Sequence, residues 1–237
     1  TSICSGNTLT LSLTGSTGNI QWQSSPNNST WTNISGATSA SYTTPALTTT
    51  TYYRAQISSG NCTAINSTAL TVTVTTVALP TAITSIALCE GDTAAQITAT
   101  AASGHTLQWY TVATGGTAST TAPTPSTTAL GATTYYVSQK NNTTNCESLR
   151  TAITVTVNAI PTISGVQNMT VGGSTLQLTG SGNPNATTPW VSSNTSIATI
   201  SLTGEVTAVA GGITTITYTT TEGCSITQTL RVVDCTQ

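Results

Sequence analysis

Apolar and polar residues alternate with a period of two along much of this chain. The runs Leu70-Thr-Val-Thr-Val74 and Ile153-Thr-Val-Thr-Val157 put valine or isoleucine on one side and threonine on the other, which is typical of a half-buried β-strand. Helical periodicity is absent. Turn-forming clusters separate the predicted strands of the first third, near 8–14, 19–25, 30–34, 39–43, 50–58 and 67–75. The next third repeats them near 94–101, 105–111, 117–122, 132–139 and 150–157.

A set of cysteine and aromatic landmarks occurs twice in the same order. The second set follows the first at offsets of 85, 87, 83 and 84 residues: Cys4, Trp22, Tyr52-Tyr53 and Cys62, then Cys89, Trp109, Tyr135-Tyr136 and Cys146. Loop insertions in a duplicated domain change the offsets between landmarks slightly while the order of the landmarks is kept. A looser third copy follows, because Tyr218 and Cys224 stand where Tyr53 and Cys62 stood.

Proline-containing joints divide the chain at Pro80 and Pro161. We therefore predict three domains, at 1–77, 78–158 and 159–237, each near the lower size limit for a self-sufficient core. Six or seven short strands in such a unit predict an all-β protein of three tandem immunoglobulin-like antiparallel β-sandwiches. In that fold, Trp22 and Trp109 are expected to be core residues.

Composition narrows the class of protein further. Only 4% of the 237 residues are charged, there is no Phe, and the net charge is −2, whereas ordinary soluble domains have about 25% charged residues. Neither a basic patch for nucleic acid nor an apolar stretch long enough for a bilayer is present. Disorder is not expected, because hydrophobic residues reach 37% and alternate as in strands.

Six cysteines without a CxxC pair predict disulfides and an oxidising, extracellular setting. Pairing Cys4 with Cys62 and Cys89 with Cys146 closes two loops of similar length, worth about 4 kcal/mol each in the loop-entropy model. The remaining pair is Cys224 and Cys235. The predicted strand 225–233 would hold these two roughly 30 Å apart, so either that strand folds back or both cysteines bond elsewhere.

The register of the repeat continues to the last residues. Cys235 aligns with Cys4 and Cys89 as the first cysteine of a fourth copy, and most of the segment 81–88 has no counterpart before Cys4. The first domain is therefore expected to lack its opening strand. Two explanations stay open: continuation in a longer tandem protein, or head-to-tail self-association in which a neighbouring segment supplies that strand.

Catalytic chemistry is not expected from these residues. His105 is the only histidine and has no neighbouring cysteine or carboxylate, so it forms neither a metal site nor a triad. Among the acidic residues only Glu90 and Asp92 are close together, without the spacing of a calcium loop. We predict no enzyme activity, no metal and no cofactor.

Two known families resemble parts of the chain. In the first two units, Cys-x-Gly-x-Thr, a Gln-Trp strand, Thr-Thr-Tyr-Tyr and Asn-Cys before Thr-Val-Thr-Val are similar to the Ig-like repeats of large surface adhesins and gliding-motility-associated proteins of Bacteroidetes. The third unit resembles the bacterial Ig-like group 2 domain of intimin-type adhesins. Its motifs are Met169-Thr-Val-Gly-Gly, Trp190-Val-Ser-Ser-Asn-Thr-Ser-Ile-Ala, Gly204-Glu-Val-Thr-Ala and Thr214-Thr-Ile-Thr-Tyr218.

These resemblances imply an extracellular stalk or filament segment of a bacterial surface adhesin. They imply a surface glycan or cell-surface ligand as partner, without identifying it. Asp92-Thr93-Ala94 resembles an O-glycosylation motif of Bacteroidetes surface proteins, which makes Thr93 a candidate acceptor. The alternative prediction, from the residues themselves, is a carbohydrate-binding module in which exposed Trp31 and Trp190 stack on sugar rings.

Overall fold

The computed structural model describes residues 1–60 and 62–235, and within them every regular element is a β-strand. The described strands, in chain order, are β1 (Ser2–Cys4), β2 (Thr10–Ser12), β3 (Asn19–Ser25), β4 (Thr32–Asn33), β5 (Ser41–Thr43), β6 (Thr51–Ser58), β7 (Ile65–Asn66), β8 (Leu70–Thr75), β9 (Thr81–Ala82), β10 (Ser85–Cys89), β11 (Ala99–Thr100), β12 (His105–Tyr110), β13 (Gly131–Asn141), β14 (Thr151–Asn158), β15 (Ile163–Ser164), β16 (Asn168–Thr170), β17 (Leu176–Gln177), β18 (Thr179–Gly180), β19 (Trp190–Ser192), β20 (Ala198–Ile200), β21 (Glu205–Ala208), β22 (Gly212–Thr219) and β23 (Ser225–Val233).

The strands belong to two compact units. Unit 1 contains Thr1–Ala82, Ala99–Thr121 and Tyr136–Thr151, and unit 2 contains Ile83–Thr98, Ala122–Tyr135 and Ala152–Gln237. Strand β13 begins in unit 2 and ends in unit 1. The domain bounds 1–77, 78–158 and 159–237 therefore stay a prediction.

Unit 1 contains a sheet of order β1-β8-β6-β3-β4, in which β7 also pairs with β6. A second small sheet pairs β2 with β5. Strand β3 lies antiparallel to β6, with Trp22 opposite Ala55. Further along the chain, β9 pairs with β11, and β12 pairs with the second half of β13.

The core of unit 1 forms around Trp22 as predicted. This side chain is buried, and its indole Nε1 donates a 2.9 Å hydrogen bond to the carbonyl oxygen of Ser39. The Tyr42 ring lies between Trp22 and Tyr53, with ring centroids 6.1 and 6.0 Å away. The buried cluster consists of Leu11, Trp22, Ala37, Leu47, Tyr53, Ala55 and Val72.

Unit 2 shows the period-two pattern most clearly in β14. Ile153, Val155 and Val157 are buried, while the threonines between them are half-exposed. Strand β14 lies between β10 and β13. The C-terminal part of the unit has a sheet of order β16-β23-β22-β19 and a smaller one of order β17-β21-β20.

The core of this C-terminal part is centred on Trp190 and Tyr218, whose ring centroids are 4.5 Å apart. Gly180 makes this packing possible, because a Cβ atom there would lie 2.4 Å from the Tyr218 ring. The buried cluster consists of Met169, Leu178, Trp190, Ala198, Val206, Ile216, Tyr218, Leu230 and Val232.

Among the described residues three strand pairs are parallel, a detail that periodicity cannot reveal: β1 with β8, β10 with β14 and β16 with β23. Strand β1 is thus the counterpart of β10. Strand β9 pairs with β11 as β15 pairs with β18, and the absence of an opening strand from the first domain stays a prediction.

Candidate functional site

The first disulfide of the structure joins Cys4 to Cys146, two residues separated by 142 positions. Their Cα atoms are 5.2 Å apart, a normal disulfide distance. Cys4 is the last residue of β1 and lies opposite Thr75, the last residue of β8. Cys146 is buried in the hairpin after β13, where its carbonyl oxygen accepts a 2.8 Å hydrogen bond from the Asn141 amide.

Local hydrogen bonds fix the turn that carries Cys146. The Asn141 side-chain Oδ1 accepts hydrogen bonds of 2.9 Å from the amides of Thr143 and Thr144. Asn145 has a φ of 58°, in the left-handed region that asparagine tolerates better than most residues. These bonds fix the backbone of the turn in which Cys146 lies.

A polar cluster beside Cys146 was not predicted from the sequence. The Glu147 carboxylate accepts a 2.6 Å hydrogen bond from the Tyr110 hydroxyl and another, short, bond from Ser138. The Arg150 guanidinium lies 3.3 Å from the centre of the Tyr110 ring. Burial raises the pKa of Tyr110, and its hydrogen bond to Glu147 raises it further. Because 37 residues separate Tyr110 from Glu147, no local spacing indicated this cluster.

The second disulfide joins Cys89 to Cys224, with a Cα–Cα distance of 5.6 Å and a separation of 135 residues. Cys89 is the last residue of β10 and lies opposite Asn158 in β14. Its amide donates a 2.8 Å hydrogen bond to a carboxylate oxygen of Asp92. Cys224 is buried just before β23, and its carbonyl oxygen accepts a 2.9 Å hydrogen bond from the amide of Thr220.

The predicted pairings Cys4–Cys62 and Cys89–Cys146 are therefore wrong. Cys4 lies at the end of β8, opposite Thr75, whereas Cys62 precedes the start of β8 at Leu70. Five strand residues at about 3.3 Å each separate these two ends by roughly 17 Å, well beyond the 7 Å limit for a disulfide. Sequence spacing gives loop length but not the end of the strand at which a thiol lies.

The outcome of the prediction differs among the remaining cysteines. Strand β23 runs without a break between Cys224 and Cys235, and Cys224 bonds elsewhere, which was one of the two alternatives. Cys62 and Cys235 were expected in disulfides but are free, exposed thiols in this structure.

The two tryptophans of the carbohydrate alternative have different surroundings. Trp190 is only 7% exposed and packs on Tyr218, so the prediction that it forms an exposed stacking platform is wrong. It begins β19 and its side chain is buried. Trp31 is half-buried, with the Arg54 guanidinium 4.2 Å from its ring centre. A role of Trp31 in sugar binding stays a prediction.

The remaining candidates take structural positions. His105 begins β12 and is half-buried, and its Nδ1 lies 2.9 Å from the carbonyl oxygen of Ser103. Thr93 is exposed, and its glycosylation stays a prediction. Across residues 1–60 and 62–235, no group of three or more His, Cys, Asp or Glu residues could hold a metal ion. The same residues contain no helix with the length and hydrophobicity needed to cross a membrane.

Comparison with family models assigns each third of the chain. Residues 1–76 match the model described as Domain of unknown function (DUF8696), residues 78–158 match Ig-like domain CHU_C associated, and residues 151–229 match Bacterial Ig-like domain (group 2). The predicted relationship to Bacteroidetes-type and group 2 bacterial Ig-like domains is confirmed. The chain is an all-β protein of tandem Ig-like domains. A search of curated proteins finds no match.

Several solved structures resemble most or all of the chain at low similarity. Extracellular domains 3–5 of Drosophila OTK are 15% identical, with coverage of 100% of this chain and 94% of that chain and a TM-score of 0.35. Immunoglobulin domains 1–4 of Sidekick-1 are 13% identical, with coverage of 98% and 73% and a TM-score of 0.31. Fibronectin(III)-like modules of Clostridium thermocellum CbhA are 13% identical, with coverage of 67% and 89% and a TM-score of 0.30. These TM-scores are too low to support an argument about function.

Proposed function

We propose that this chain is an extracellular structural and adhesive protein, a tandem Ig-like stalk or filament segment of a bacterial surface adhesin. The observation that supports this role best is the pair of overlapping disulfides, Cys4–Cys146 and Cys89–Cys224. Each joins cysteines that lie in different predicted domains. A disulfide of this kind closes a long loop of the chain and limits how far the chain can extend under tension, which suits a stalk or filament segment.

The overlap makes the two disulfides redundant under tension. Cys89 lies inside the loop closed by Cys4–Cys146, and Cys146 lies inside the loop closed by Cys89–Cys224. With both disulfides intact, the shortest covalent path between Cys4 and Cys224 crosses both of them and the 57 peptide links between Cys89 and Cys146. If one disulfide is lost, a longer path through the other remains. Either disulfide alone still prevents the chain from extending fully.

Composition fits an exposed role outside the cell. Stable disulfides form in oxidising compartments, and threonine covers the outward positions of the long strands, as in β14. Only four residues are Lys or Arg, so proteases that cleave after basic residues find few sites. In this proposal the partners are further copies or further domains of the same kind and a glycan or protein ligand on another surface.

Antibody labelling of the producing cells tests the location and the adhesive role. Antibodies raised against the folded chain are expected to label intact cells, and their monovalent Fab fragments are expected to reduce cell attachment to a surface. Fab fragments against an abundant unrelated surface protein serve as the control. Labelling that appears only after cell lysis would contradict the surface location, and unchanged attachment despite full labelling would contradict the adhesive role.

A further inference from the structure

Three strands contain a buried tryptophan, and each pairs with a strand that comes later in the chain. Three cysteines occupy equivalent positions, each shortly after the end of that later strand. The residues opposite Trp22, Trp109 and Trp190 are Ala55, Val137 and Tyr218. The cysteines follow these residues by seven, nine and six positions and are Cys62, Cys146 and Cys224. We call them the hairpin cysteines. Two of them, Cys146 and Cys224, are in disulfides.

The partners of those two also share one position. Cys4 and Cys89 are the last residues of β1 and β10, and each lies opposite the last residue of the parallel partner strand, Thr75 or Asn158. We call this the strand-end position. In both disulfides a hairpin cysteine is bonded to a strand-end cysteine, and no disulfide among the described residues joins two cysteines of one kind.

In the third parallel pair, β16 with β23, the cysteine follows the C-terminal strand β23 instead of ending the N-terminal strand β16. Thr170 ends β16 opposite Val233, the last residue of β23, and so takes the place of Cys4 and Cys89. Cys235 follows Val233 by two residues. Neighbouring strands are only about 5 Å apart, so Cys235 lies at the same end of its strand pair as Cys4 and Cys89 do. It is a strand-end cysteine.

The two free thiols are therefore one hairpin cysteine and one strand-end cysteine, both exposed. We propose that Cys62 of one copy of the chain forms a disulfide with Cys235 of a second copy, which repeats between chains the bond that occurs twice within the chain. Because the two surfaces differ, the contact is head-to-tail, and successive copies can add without closing a symmetric dimer. This proposal rests on the recurrence of the disulfide and not on the proposed surface role.

The chemistry is a two-electron thiol–disulfide exchange. The Cys62 thiolate attacks one sulfur of a low-molecular-weight disulfide, and the other sulfur leaves as a thiolate that takes up a proton. The Cys235 thiolate of the second copy then attacks Cys62 in this mixed disulfide, and the second small thiol leaves. Two protein thiols lose two electrons and two protons, and one molecule of the small disulfide becomes two thiols.

Two single variants separate this pairing from nonspecific oxidation. Cys62→Ser keeps only Cys235 free, and Cys235→Ser keeps only Cys62 free, while both internal disulfides stay intact. With oxidised and reduced glutathione present, an equimolar mixture of the two variants is expected to form a covalent heterodimer about tenfold faster than either variant forms a homodimer, since docking raises the effective thiol concentration. Mass tags of different size on the two variants distinguish heterodimer from homodimer on a non-reducing gel.

The unmodified chain is expected to form a ladder of covalent oligomers with a peptide cross-link between Cys62 and Cys235, and the double variant Cys62→Ser/Cys235→Ser is expected to stay monomeric. Homodimers as fast as heterodimers would overturn the proposal, because they show random surface oxidation. A monomer with both thiols consumed in an internal Cys62–Cys235 bond would overturn it as well. Circular dichroism of each variant checks that its strands are unchanged.

Discussion

Overlapping disulfides predict an unusual response of this protein to mechanical force. When the chain is pulled at Thr1 and Gln237, the shortest covalent path runs from Thr1 to Cys4, across to Cys146, back along the chain to Cys89, across to Cys224 and then to the end. It contains 3, 57 and 13 peptide links, 73 in all. At about 3.6 Å per residue the fully unfolded, oxidised chain reaches about 265 Å.

Full reduction frees all 236 links between residues 1 and 237, which raises the maximum extension to about 850 Å. Removing one disulfide is expected to lengthen the chain only modestly. Without Cys89–Cys224 the path has 94 links, or about 340 Å, and without Cys4–Cys146 it has 101, or about 365 Å. Only the loss of both disulfides releases the chain.

The originally predicted pairings give different lengths, so the experiment discriminates between them. With Cys4–Cys62 and Cys89–Cys146 the oxidised path would have 121 links, or about 435 Å. Each disulfide would then act alone, and removing either one would extend the chain to about 640 Å. The single-disulfide variants therefore separate the two arrangements by nearly a factor of two in length.

Single-molecule force spectroscopy measures these lengths directly. The protein is held by handles at both ends in a Cys62→Ser/Cys235→Ser background, so that no thiol is free to exchange. We compare this parent with the Cys4→Ser/Cys146→Ser and Cys89→Ser/Cys224→Ser variants and with the reduced parent. A single-disulfide variant that extends to about 640 Å would refute the redundancy of the two disulfides.

Three further predictions concern the cores and the hairpin. Burial, and secondarily the charge of Tyr42, raises the pKa of Tyr53 to about 12. The fold therefore favours the neutral phenol, and the resulting contribution to the free energy of unfolding is complete below pH 10 and is lost as the pH rises from about 10 to 12. Denaturant unfolding is therefore expected to show a steeper alkaline loss of stability in the parent than in Tyr53→Phe, and parallel curves would contradict it. A Cβ atom on Gly204, at φ +88°, would lie 2.4 Å from the carbonyl oxygen of Leu178, whereas Gly172, at φ +74°, has open space around it. Gly172→Ala is expected to lose about 1 kcal/mol and Gly204→Ala about 2 kcal/mol more, and equal urea midpoints would refute the steric argument. Finally, Tyr110→Phe removes the hydrogen bond to Glu147 and is expected to cost about 1 kcal/mol in urea unfolding, whereas an unchanged midpoint would show that the cluster does not stabilise the hairpin.

Periodicity predicted the long strands that have a partner strand on each side, such as β3 and β6. The predicted strand 19–25 matches β3, and 50–58 matches β6 to within one residue. By contrast, 117–122 forms no strand, because only Ser119 pairs there, in an isolated bridge with Trp109. Alternation shows that a segment could pair, but it does not show whether a partner strand is present.

The sequence could predict the burial of two tryptophans but not the pairing of the cysteines. Trp22 and Trp109 were predictable as core because a large apolar side chain in a strand has one favourable side. Trp190 was not, since it packs on Tyr218 of the neighbouring strand, whose ring in turn needs the space that Gly180 leaves. Disulfide pairing depends on the strand ends at which thiols meet, and those ends are fixed by parallel pairs such as β1 with β8.

The identity of the disulfide partners is the central claim, and peptide mapping without reduction tests it most directly. The protein is alkylated, denatured and digested with trypsin, which cleaves after Arg54, Lys140, Arg150 and Arg231. The structure predicts two cross-linked species, peptide 1–54 with 141–150 and peptide 55–140 with 151–231. A single species that joins 1–54, 55–140 and 141–150, with 151–231 released alone, would show Cys4–Cys62 and Cys89–Cys146 instead and contradict the account.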